Sequence, residues 1–331
     1  MHRTSFVTGA SGLLGAALVQ RLLKRSDQVV CLVRDHVPTS RLFLEPENYR
    51  GLILVNGDIL DRQVLRRVLY EYEIDSVFHL AAQTLVGVAN RDPIDTLKVN
   101  IEGTWNLLEE FRQYSASSKK TKALVLASSD KAYGNMLSES YDENSALKGE
   151  HPYDVSKSCC DLIAQAYKKT YGINLGITRC GNFFGPGDLN GSRLIPGTIL
   201  SILRGHAPVI RSDGSLIRDY IYVEDGADAY VSLEEALFAP KKESLNVAYN
   251  FSYGEKRSVL EVTDRIIELM KSKMKPVVMN EAKNEIPAQH LDSSRARRDL
   301  NWKPTFGFDD GLVRTIEWYR RHQNDLKFNT V

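Results

Sequence analysis

Residues 5–25 read SFVTGASGLLGAALVQRLLKR: a short apolar run, a turn with three glycines, and a longer amphipathic segment. The first run predicts a buried strand, and the leucines that recur every four residues after it predict a helix. Gly9, Gly12 and Gly15 lie between the two, where backbone amides can approach a pyrophosphate at the positive end of the helix. This strand–turn–helix context predicts a dinucleotide-binding turn; a tight turn without a ligand is the alternative.

The rest of the first half repeats this alternation of strand and helix. Further apolar strands are predicted at 28–34, 52–58, 76–82, 122–129 and 175–182. Two long helices are predicted near 92–114 and 154–171, the second closed by Gly172. Near-continuous apolar strands joined by helices predict an α/β fold, a doubly wound parallel sheet of the Rossmann type covered on both faces.

After about residue 180 the composition changes, and Gly and Pro cluster in the irregular stretch 181–197. A loop of that length inside a compact chain is usually functional. We therefore predict a dinucleotide-binding domain at 1–180, to which 220–250 returns. Residues 181–331 are predicted to form a smaller C-terminal α/β domain that binds the substrate.

Composition excludes several classes of function. The 331 residues are 43% hydrophobic and 26% charged with a net charge of +1, which gives no broad electrostatic case for nucleic acid or a membrane surface. The four cysteines contain no C-x-x-C pair and no histidine cluster accompanies them, so we expect neither a disulfide framework nor a metal site. The opening residues lack a signal-peptide pattern and no apolar run approaches membrane-spanning length, which predicts a cytoplasmic protein.

The second predicted strand ends in Arg34 and Asp35, where dinucleotide folds contact the adenosine ribose. An acidic residue there would bond the ribose hydroxyls of NAD, whereas an arginine would pair with the additional phosphate of NADP. Arg34 comes first, so the sequence favours NADP over NAD. An exposed Arg–Asp pair without a cofactor role is the alternative.

Two motifs carry the predicted chemistry. Tyr153 and Lys157 form Y-x-x-x-K on one helix face, and a lysine cation beside a phenol favours the phenolate, a base for an alcohol that loses hydride. The fifth strand ends in Ser-Ser-Asp-Lys, residues 128–131, which places two hydroxyls, a carboxyl and an amine at one sheet edge. Ser129 is placed there to hold the reacting hydroxyl.

Together these motifs resemble the extended short-chain dehydrogenase/reductase family over nearly the whole chain, including NGDIL at 56–60, HLAAQ at 79–83, YDVSK at 153–157 and RDYIYVED at 218–225. The resemblance implies that Ser129, Tyr153 and Lys157 form a catalytic triad. It also implies a set of cofactor contacts: Gly9, Ser11, Gly12, Leu13, Leu14, Gly15, Arg34, Asp58, Ile59, Leu80, Ala81, Ala82, Gln83, Asn100, Ser128, Tyr153 and Lys157.

Within that family, Asp130-Lys131 is similar to the pair in CDP-glucose 4,6-dehydratases, whereas dTDP-glucose enzymes carry Asp-Glu there. The match extends over roughly residues 128–225, while the turn GASGLLG departs from the histidine- and lysine-containing turn of those enzymes. The resemblance implies that an NDP-hexose becomes an NDP-4-keto-6-deoxyhexose. Tyr153 would take the proton from oxygen 4, neutral Lys131 the proton from carbon 5, and protonated Asp130 would release the hydroxyl on carbon 6.

The resemblance also implies contacts to a nucleotide-sugar substrate from Gln83, Ser129, Asn182, Arg193, Leu194, Arg211, Arg218 and Arg295. Arg218 and Arg295 would bind the diphosphate, and Arg218 is favoured because it lies in a matched motif. Each arginine has the alternative of being a solvated surface charge. Family members often pair as homodimers through a four-helix bundle, which here would use the helices near 92–114 and 154–171. Packing of those helices on the sheet is the alternative.

Two other functions remain open at this point. An NDP-sugar 4-epimerase, or a dehydratase acting at other sugar carbons, would share the fold. A catalytically idle dinucleotide-binding sensor would share the glycine turn, although the intact Ser129, Tyr153 and Lys157 argue against it.

Overall fold

The computed structural model describes residues 2–135, 140–240, 244–281 and 288–326. Its strands are β1 Thr4–Thr8, β2 Gln28–Val33, β3 Ile53–Asn56, β4 Ser76–His79, β5 Ala123–Ala127, β6 Leu175–Cys180, β7 Asn182–Phe184, β8 Val209–Ile210, β9 Ile217–Arg218, β10 Tyr220–Tyr222, β11 Ala248–Phe251, β12 Arg257–Ser258 and β13 Val277–Val278. Its helices are α1 Leu13–Lys24, α2 Arg41–Leu44, α3 Arg62–Glu71, α4 Val86–Arg91, α5 Pro93–Leu97, α6 Gly103–Ser117, α7 Pro152–Tyr171, α8 Leu194–Leu203, α9 Val223–Phe238, α10 Val259–Leu269, α11 Ser294–Leu300 and α12 Gly307–His322.

One seven-stranded sheet organises the chain, in the order β11-β6-β5-β4-β1-β2-β3, and every neighbouring pair is parallel. Helices α1 and α9 pack on one face and α3, α6 and α7 on the other. Strands β4 and β6 are buried throughout, because both of their faces are covered. The predicted doubly wound parallel sheet is confirmed.

The strand order reverses between β1 and β4, which opens a crevice beyond the carboxyl ends of these two strands. The glycine turn follows β1 and the HLAAQ loop follows β4, so both loops meet at this crevice. A Cβ atom added at Gly9 would lie 2.7 Å from the backbone nitrogen of Ala81. The two loops are therefore in contact through their backbones, and only glycine permits that approach.

The helix predicted at 92–114 is present over 93–117, but a π-helical turn interrupts its regular α-helical winding. It begins at Asp92 and Pro93 as α5, passes through a π-helical turn at Lys98–Glu102, and continues as α6. The hydroxyl of Thr104 and the thiol of Cys160 both donate to the Asn100 carbonyl, at 2.6 and 3.2 Å, which occupies that carbonyl within the turn. π-helical turns within α-helices frequently mark functional sites.

The second half both returns to the sheet and builds a separate layer. Helix α9 packs on the sheet, and β11, which the sequence did not predict as a strand, pairs with β6. The stretch 181–197, predicted to be irregular, contains β7 and the first turn of α8. The carboxylate of Asp225 in α9 accepts backbone hydrogen bonds from Thr305, Phe306 and Gly307 and so fastens the segment before α12. Among the described residues, no helix combines the length and the apolar character needed to cross a membrane.

Candidate active site

The Ser-Ser-Asp-Lys stretch directly follows β5 and enters a short 3-10 turn at Asp130–Tyr133. The Ser129 hydroxyl caps this turn, because it accepts a hydrogen bond from the Lys131 backbone nitrogen at 3.1 Å. The same hydroxyl donates to Oδ1 of Asp130 at 2.9 Å. A capped turn at the end of the strand thus holds the carboxyl and the amine next to each other at the sheet edge.

Helix α7 brings the Y-x-x-x-K motif to the same edge. Lys157 is buried and its Nζ donates to the carbonyl of Ala127, the last residue of β5, at 2.9 Å. Tyr153 lies one turn earlier and is also buried, and the Ser129 hydroxyl lowers the pKa of its phenol in part. The structure therefore brings together the five residues for which the sequence predicted a catalytic role: Ser129, Asp130, Lys131, Tyr153 and Lys157.

Burial sets the protonation of the carboxyl groups at this edge. Asp130 is only 3% exposed, and burial raises its pKa; Lys131 and the bond from Ser129 oppose the shift, while Asp219 adds to it. Burial likewise raises the pKa of Asp154, which also feels the charge of Lys131. A raised pKa favours the protonated acid, the form that can donate a proton to a leaving hydroxyl.

Burial also controls the tyrosine and lysine pair. It raises the pKa of Tyr153, Asp130 raises that pKa further, and the Ser129 hydroxyl lowers it only in part. Burial lowers the pKa of Lys157. Both directions favour the uncharged forms of the phenol and the amine in the protein alone, and a positive charge bound nearby would favour the phenolate.

The glycine turn fits a pyrophosphate. A Cβ atom on Gly15 would lie 2.1 Å from the Gly9 carbonyl oxygen, so Gly15 is required for packing. A Cβ atom on Gly12 would meet only that same oxygen, at 3.3 Å, and Gly12 is exposed at the N-terminus of α1 with no side-chain cap. The backbone is open where a phosphate would be received, at the positive end of a 12-residue helix.

The HLAAQ loop forms the opposite wall of the crevice. The Thr8 hydroxyl accepts from the backbone nitrogens of Leu80 and Ala81, both at 3.2 Å, and bonds Nδ1 of His79. Burial lowers the pKa of His79 to about 3, so this imidazole is neutral and structural. Ala82 lies next in the loop and is partly buried.

Asn100 in the π-helical turn fixes the end of this loop. Its side chain accepts from the Gln83 backbone nitrogen at 2.7 Å and donates to the Gln83 carbonyl at 3.1 Å and to Ser156 in α7 at 2.9 Å. Nearby, the buried Ser128 hydroxyl has no partner among the described residues, which leaves it available to a ligand. The residues present therefore fit a bound nicotinamide dinucleotide.

The adenine end of the crevice is less specific. Asp58 accepts from the Leu60 backbone nitrogen at 2.9 Å, and Ile59 packs against the Cα of Gly103. Arg34 pairs with Asp35 at 2.7 Å, and both side chains are about 60% exposed. The remaining predicted cofactor contacts lie in the glycine turn and the first turn of α1: Ser11, Leu13 and Leu14.

Several predicted substrate residues border the same edge. Asn182 opens β7, and its backbone and side-chain nitrogens both donate to the Asp219 carbonyl, which places Asn182 beside Arg218. Arg193 precedes α8, which begins at Leu194; it pairs with Asp188 at 3.3 Å and its charge lowers the pKa of Tyr153 in part. Arg211 is exposed in the turn after β8.

Arg295 is not brought to the catalytic residues. Its guanidinium pairs with Glu143 at 3.3 Å and donates to Asn144 at 3.0 Å. Together with Arg179 and Leu162 these residues line a separate cavity beside α7, and none of the five catalytic candidates lines it. The sequence prediction that Arg295 binds the diphosphate gains no support from this position, because its charge is already compensated.

Three polar residues at the site were missed from the sequence. Gln289 is fully buried and its Oε1 accepts a hydrogen bond from Nζ of Lys131. Asp219 and Asp154, both buried, act electrostatically on the catalytic turn. The two aspartates lie inside the motifs RDYIYVED and YDVSK and could have been found there. Nothing local marks Gln289.

The fold and this cluster of groups define a dinucleotide-dependent enzyme of the extended short-chain dehydrogenase/reductase class. The chain belongs to the GDP-mannose 4,6-dehydratase family, whose profile matches residues 6–315. It is 30% identical to a dTDP-glucose 4,6-dehydratase of Haemophilus influenzae, over 95% of this chain and 96% of that protein.

Solved structures show the same likeness. A dTDP-glucose 4,6-dehydratase of Streptomyces venezuelae with NAD bound superposes with a TM-score of 0.84 at 28% identity, covering 98% of this chain and 100% of that one. A UDP-glucose 4-epimerase of Thermotoga maritima with UDP-glucose gives a TM-score of 0.85 at 25% identity, covering 97% and 99%. The fold thus accommodates both chemistries, and the catalytic turn has to discriminate between them.

Proposed function

We propose that this protein is a nucleotide-sugar 4,6-dehydratase, which converts an NDP-hexose into an NDP-4-keto-6-deoxyhexose. One observation carries the proposal: a buried acid, Asp130, and an amine, Lys131, occupy one capped turn against Ser129 and Tyr153. An epimerase needs only the oxidation chemistry of the tyrosine and has no use for an additional acid and base. The 4,6-dehydratases among the relatives support the same assignment.

The first step oxidises carbon 4 of the sugar. Ser129 holds the hydroxyl on that carbon, and Tyr153 accepts its proton. A nicotinamide dinucleotide bound at the glycine turn supplies the hydride acceptor and later the hydride donor. Lys157, whose Nζ bonds the last carbonyl of β5, orients the cofactor by resemblance to the family. The new ketone makes the hydrogen on carbon 5 acidic, which prepares the elimination.

The second step removes water. Lys131, as the neutral amine, takes the proton from carbon 5, and the electrons of that C–H bond form the double bond between carbons 5 and 6. The C–O bond at carbon 6 breaks, and the leaving hydroxyl takes the proton of Asp130 to become water. Asp130 is suited to this because burial raises its pKa. Hydride then returns to carbon 6 and the Lys131 ammonium returns its proton to carbon 5, which completes the product. The proton that Tyr153 took replaces the one that Asp130 gave to water, so all three groups are restored.

We propose CDP-glucose as the substrate. The argument is the amine at Lys131, since the turn resembles that of CDP-glucose enzymes and differs from the Asp-Glu of dTDP-glucose enzymes. The dTDP-glucose 4,6-dehydratases among the relatives act, by their names, on dTDP-glucose, and they are 30% identical to this chain. We further propose that residues 181–331, apart from 220–250, bind the nucleotide sugar, through Asn182, Arg193 and Arg218.

The purified protein should convert one member of a panel of CDP-, dTDP-, UDP- and GDP-glucose into a product lighter by one water. We expect the CDP sugar to give the highest kcat/KM. Product mass spectra provide the measurement, and a 4-epimer, which keeps the substrate mass, would replace the dehydratase proposal by the epimerase. Binding of a nicotinamide nucleotide without turnover of any sugar would instead favour the idle sensor.

NAD is the cofactor we propose. NAD is the nucleotide named in the relative's structure, so the NADP preference predicted from Arg34 gains no support there. In this chain the Arg34 guanidinium is hydrogen-bonded to Asp35, and the carboxylate would repel an additional phosphate while it can accept from a ribose hydroxyl.

We also propose a homodimer through α6 and α7. Trp105 on α6 is 44% exposed and Leu162 on α7 is 53% exposed. Exposure of such large apolar side chains to water is unfavourable and is typical of an interaction surface. Phe111 of the predicted interface is fully buried in the core and takes no part. Light scattering should give twice the chain mass for the native protein and for Leu260→Asp on α10, but one chain mass for Trp105→Glu. A monomeric native protein would contradict the dimer.

A further inference from the structure

A short segment at residues 288–291 crosses the substrate side of the cleft and is held at several points. Ala288 bridges Ile217 of β9, and the Gln289 backbone nitrogen donates to the Ile217 carbonyl at 3.1 Å. The Leu291 backbone nitrogen donates to Oδ2 of Asp219 at 3.0 Å. The segment is therefore fixed on both sides of Arg218, the first residue of the motif RDYIYVED.

This anchoring delivers one side chain to the catalytic turn. Gln289 is fully buried, and its amide oxygen accepts a hydrogen bond from Nζ of Lys131, across 158 residues of sequence. Its amide nitrogen has no partner among the described residues. A buried amide with one half engaged and the other half open is costly unless a ligand completes it, so an oxygen of the bound sugar is the natural second partner.

We propose that Gln289 is a positioning residue that holds Lys131 for removal of the proton from carbon 5 of the sugar. The inference rests on the proposed dehydratase function and goes beyond it, because Gln289 acts through Lys131. An amide oxygen can take one N–H of the amine and leave the nitrogen lone pair directed elsewhere. It does so without the negative charge with which a carboxylate would stabilise the ammonium form and weaken the base.

The charged groups around Lys131 agree with a neutral acceptor at this position. Asp130 faces the amine from its own turn and Asp154 from α7, and burial raises the pKa of both, which favours their uncharged forms. His151 at the start of α7 acts on Asp154, and Asp219 acts on Asp130. Gln289 reaches the amine from a third element. Gln289 thus accepts from the amine without adding a negative charge beside it.

Three variants test this with the sugar nucleotide that the native protein converts. Gln289→Leu removes the amide, Gln289→Glu replaces it with a carboxylate of nearly the same shape, and Gln28→Glu makes the same charge change at the exposed amino end of β2, remote from the crevice. The readouts are kcat and KM, the near-ultraviolet absorbance of reduced cofactor during turnover, and the pH dependence of the elimination. Thermal unfolding checks that each variant is folded.

Gln289→Leu should lower kcat by about tenfold to about 100-fold, since misplacing a catalytic group slows its own step, and the lost amide contact to the sugar should raise KM by less than kcat falls. Reduced cofactor should accumulate, because oxidation at carbon 4 still proceeds. In Gln289→Glu the carboxylate stabilises the ammonium form of Lys131. Activity should fall at neutral pH and recover as the pH rises, with the rising limb displaced by about one pH unit or more. Gln28→Glu should match the native protein.

Each contrary result has one meaning. A native protein that dehydrates no sugar nucleotide removes the proposed function and this inference together. A native protein that dehydrates its substrate while Gln289→Leu keeps the native kcat overturns the inference alone. So does a loss of rate in folded Gln289→Leu with no accumulated reduced cofactor. If Gln289→Leu does not fold, Gln289→Glu decides, and an unshifted pH profile in that variant rejects the role.

Discussion

Lys131→Ala should reduce its cofactor when the nucleotide sugar binds and then stop before water is lost. The oxidation at carbon 4 uses Ser129 and Tyr153, which this change leaves in place. The elimination loses its base, and a positioned base typically contributes about 10² to 10⁴ in rate. Rapid mixing should therefore show near-ultraviolet absorbance that rises and persists, while the mass spectrum contains little dehydrated product.

Two comparisons make that result specific. Lys169→Ala removes an exposed lysine from the other end of α7 and should leave turnover unchanged. Asp130→Asn keeps the amine but removes the acid, so it should still exchange the hydrogen on carbon 5 with deuterated water, whereas Lys131→Ala should not. Full turnover by Lys131→Ala would remove the amine from the mechanism, and exchange in that variant would assign the base to another residue.

The features that were predictable from the sequence are local ones. The strand–glycine–helix order at the start of the chain and the repeated alternation of strands and helices after it require only short-range patterning, and the alternation correctly predicted the parallel sheet. The catalytic turn could also be predicted from local sequence, because Ser129 to Lys131 directly follow one strand. Strand β11 was missed because it has only four residues, which form a strand through their pairing with β6.

The features that escaped prediction depend on contacts between distant segments. Gln289 reaches Lys131 only because its segment is fastened to β9 and Asp219, and no pattern around residue 289 reports this. The family resemblance implied that Arg295 binds the diphosphate, and the sequence does not reveal that Glu143, far away in the chain, pairs with its guanidinium. The protonation of Tyr153 likewise depends on how completely the folded chain excludes water from its phenol, which spacing alone does not reveal.

Tyr153→Phe should block the reaction one step earlier than Lys131→Ala. Removing the phenol oxygen leaves no acceptor for the proton of the sugar hydroxyl, so hydride transfer from carbon 4 should slow by about 10² to 10⁴. No absorbance of reduced cofactor should appear after mixing with substrate. Tyr167→Phe on the same helix, whose hydroxyl bonds Glu109 at 3.3 Å away from the cleft, should behave as the native protein.

The pH dependence of the first oxidation provides a second, independent test of the role of Tyr153. Burial and Asp130 raise the pKa of Tyr153, so in the protein alone the phenol stays protonated across the neutral range. The rate of the first oxidation should therefore increase as the pH rises toward that pKa. The increase is smaller to the extent that the positive charge of the oxidised cofactor already lowers the pKa of the phenol. In Tyr153→Phe the residual rate should lose this rise. A normal absorbance burst in Tyr153→Phe, or a rise with pH that survives the substitution, would assign the first proton transfer to another group. Ser129, whose hydroxyl lowers the pKa of the phenol in part, would be the residue to examine next.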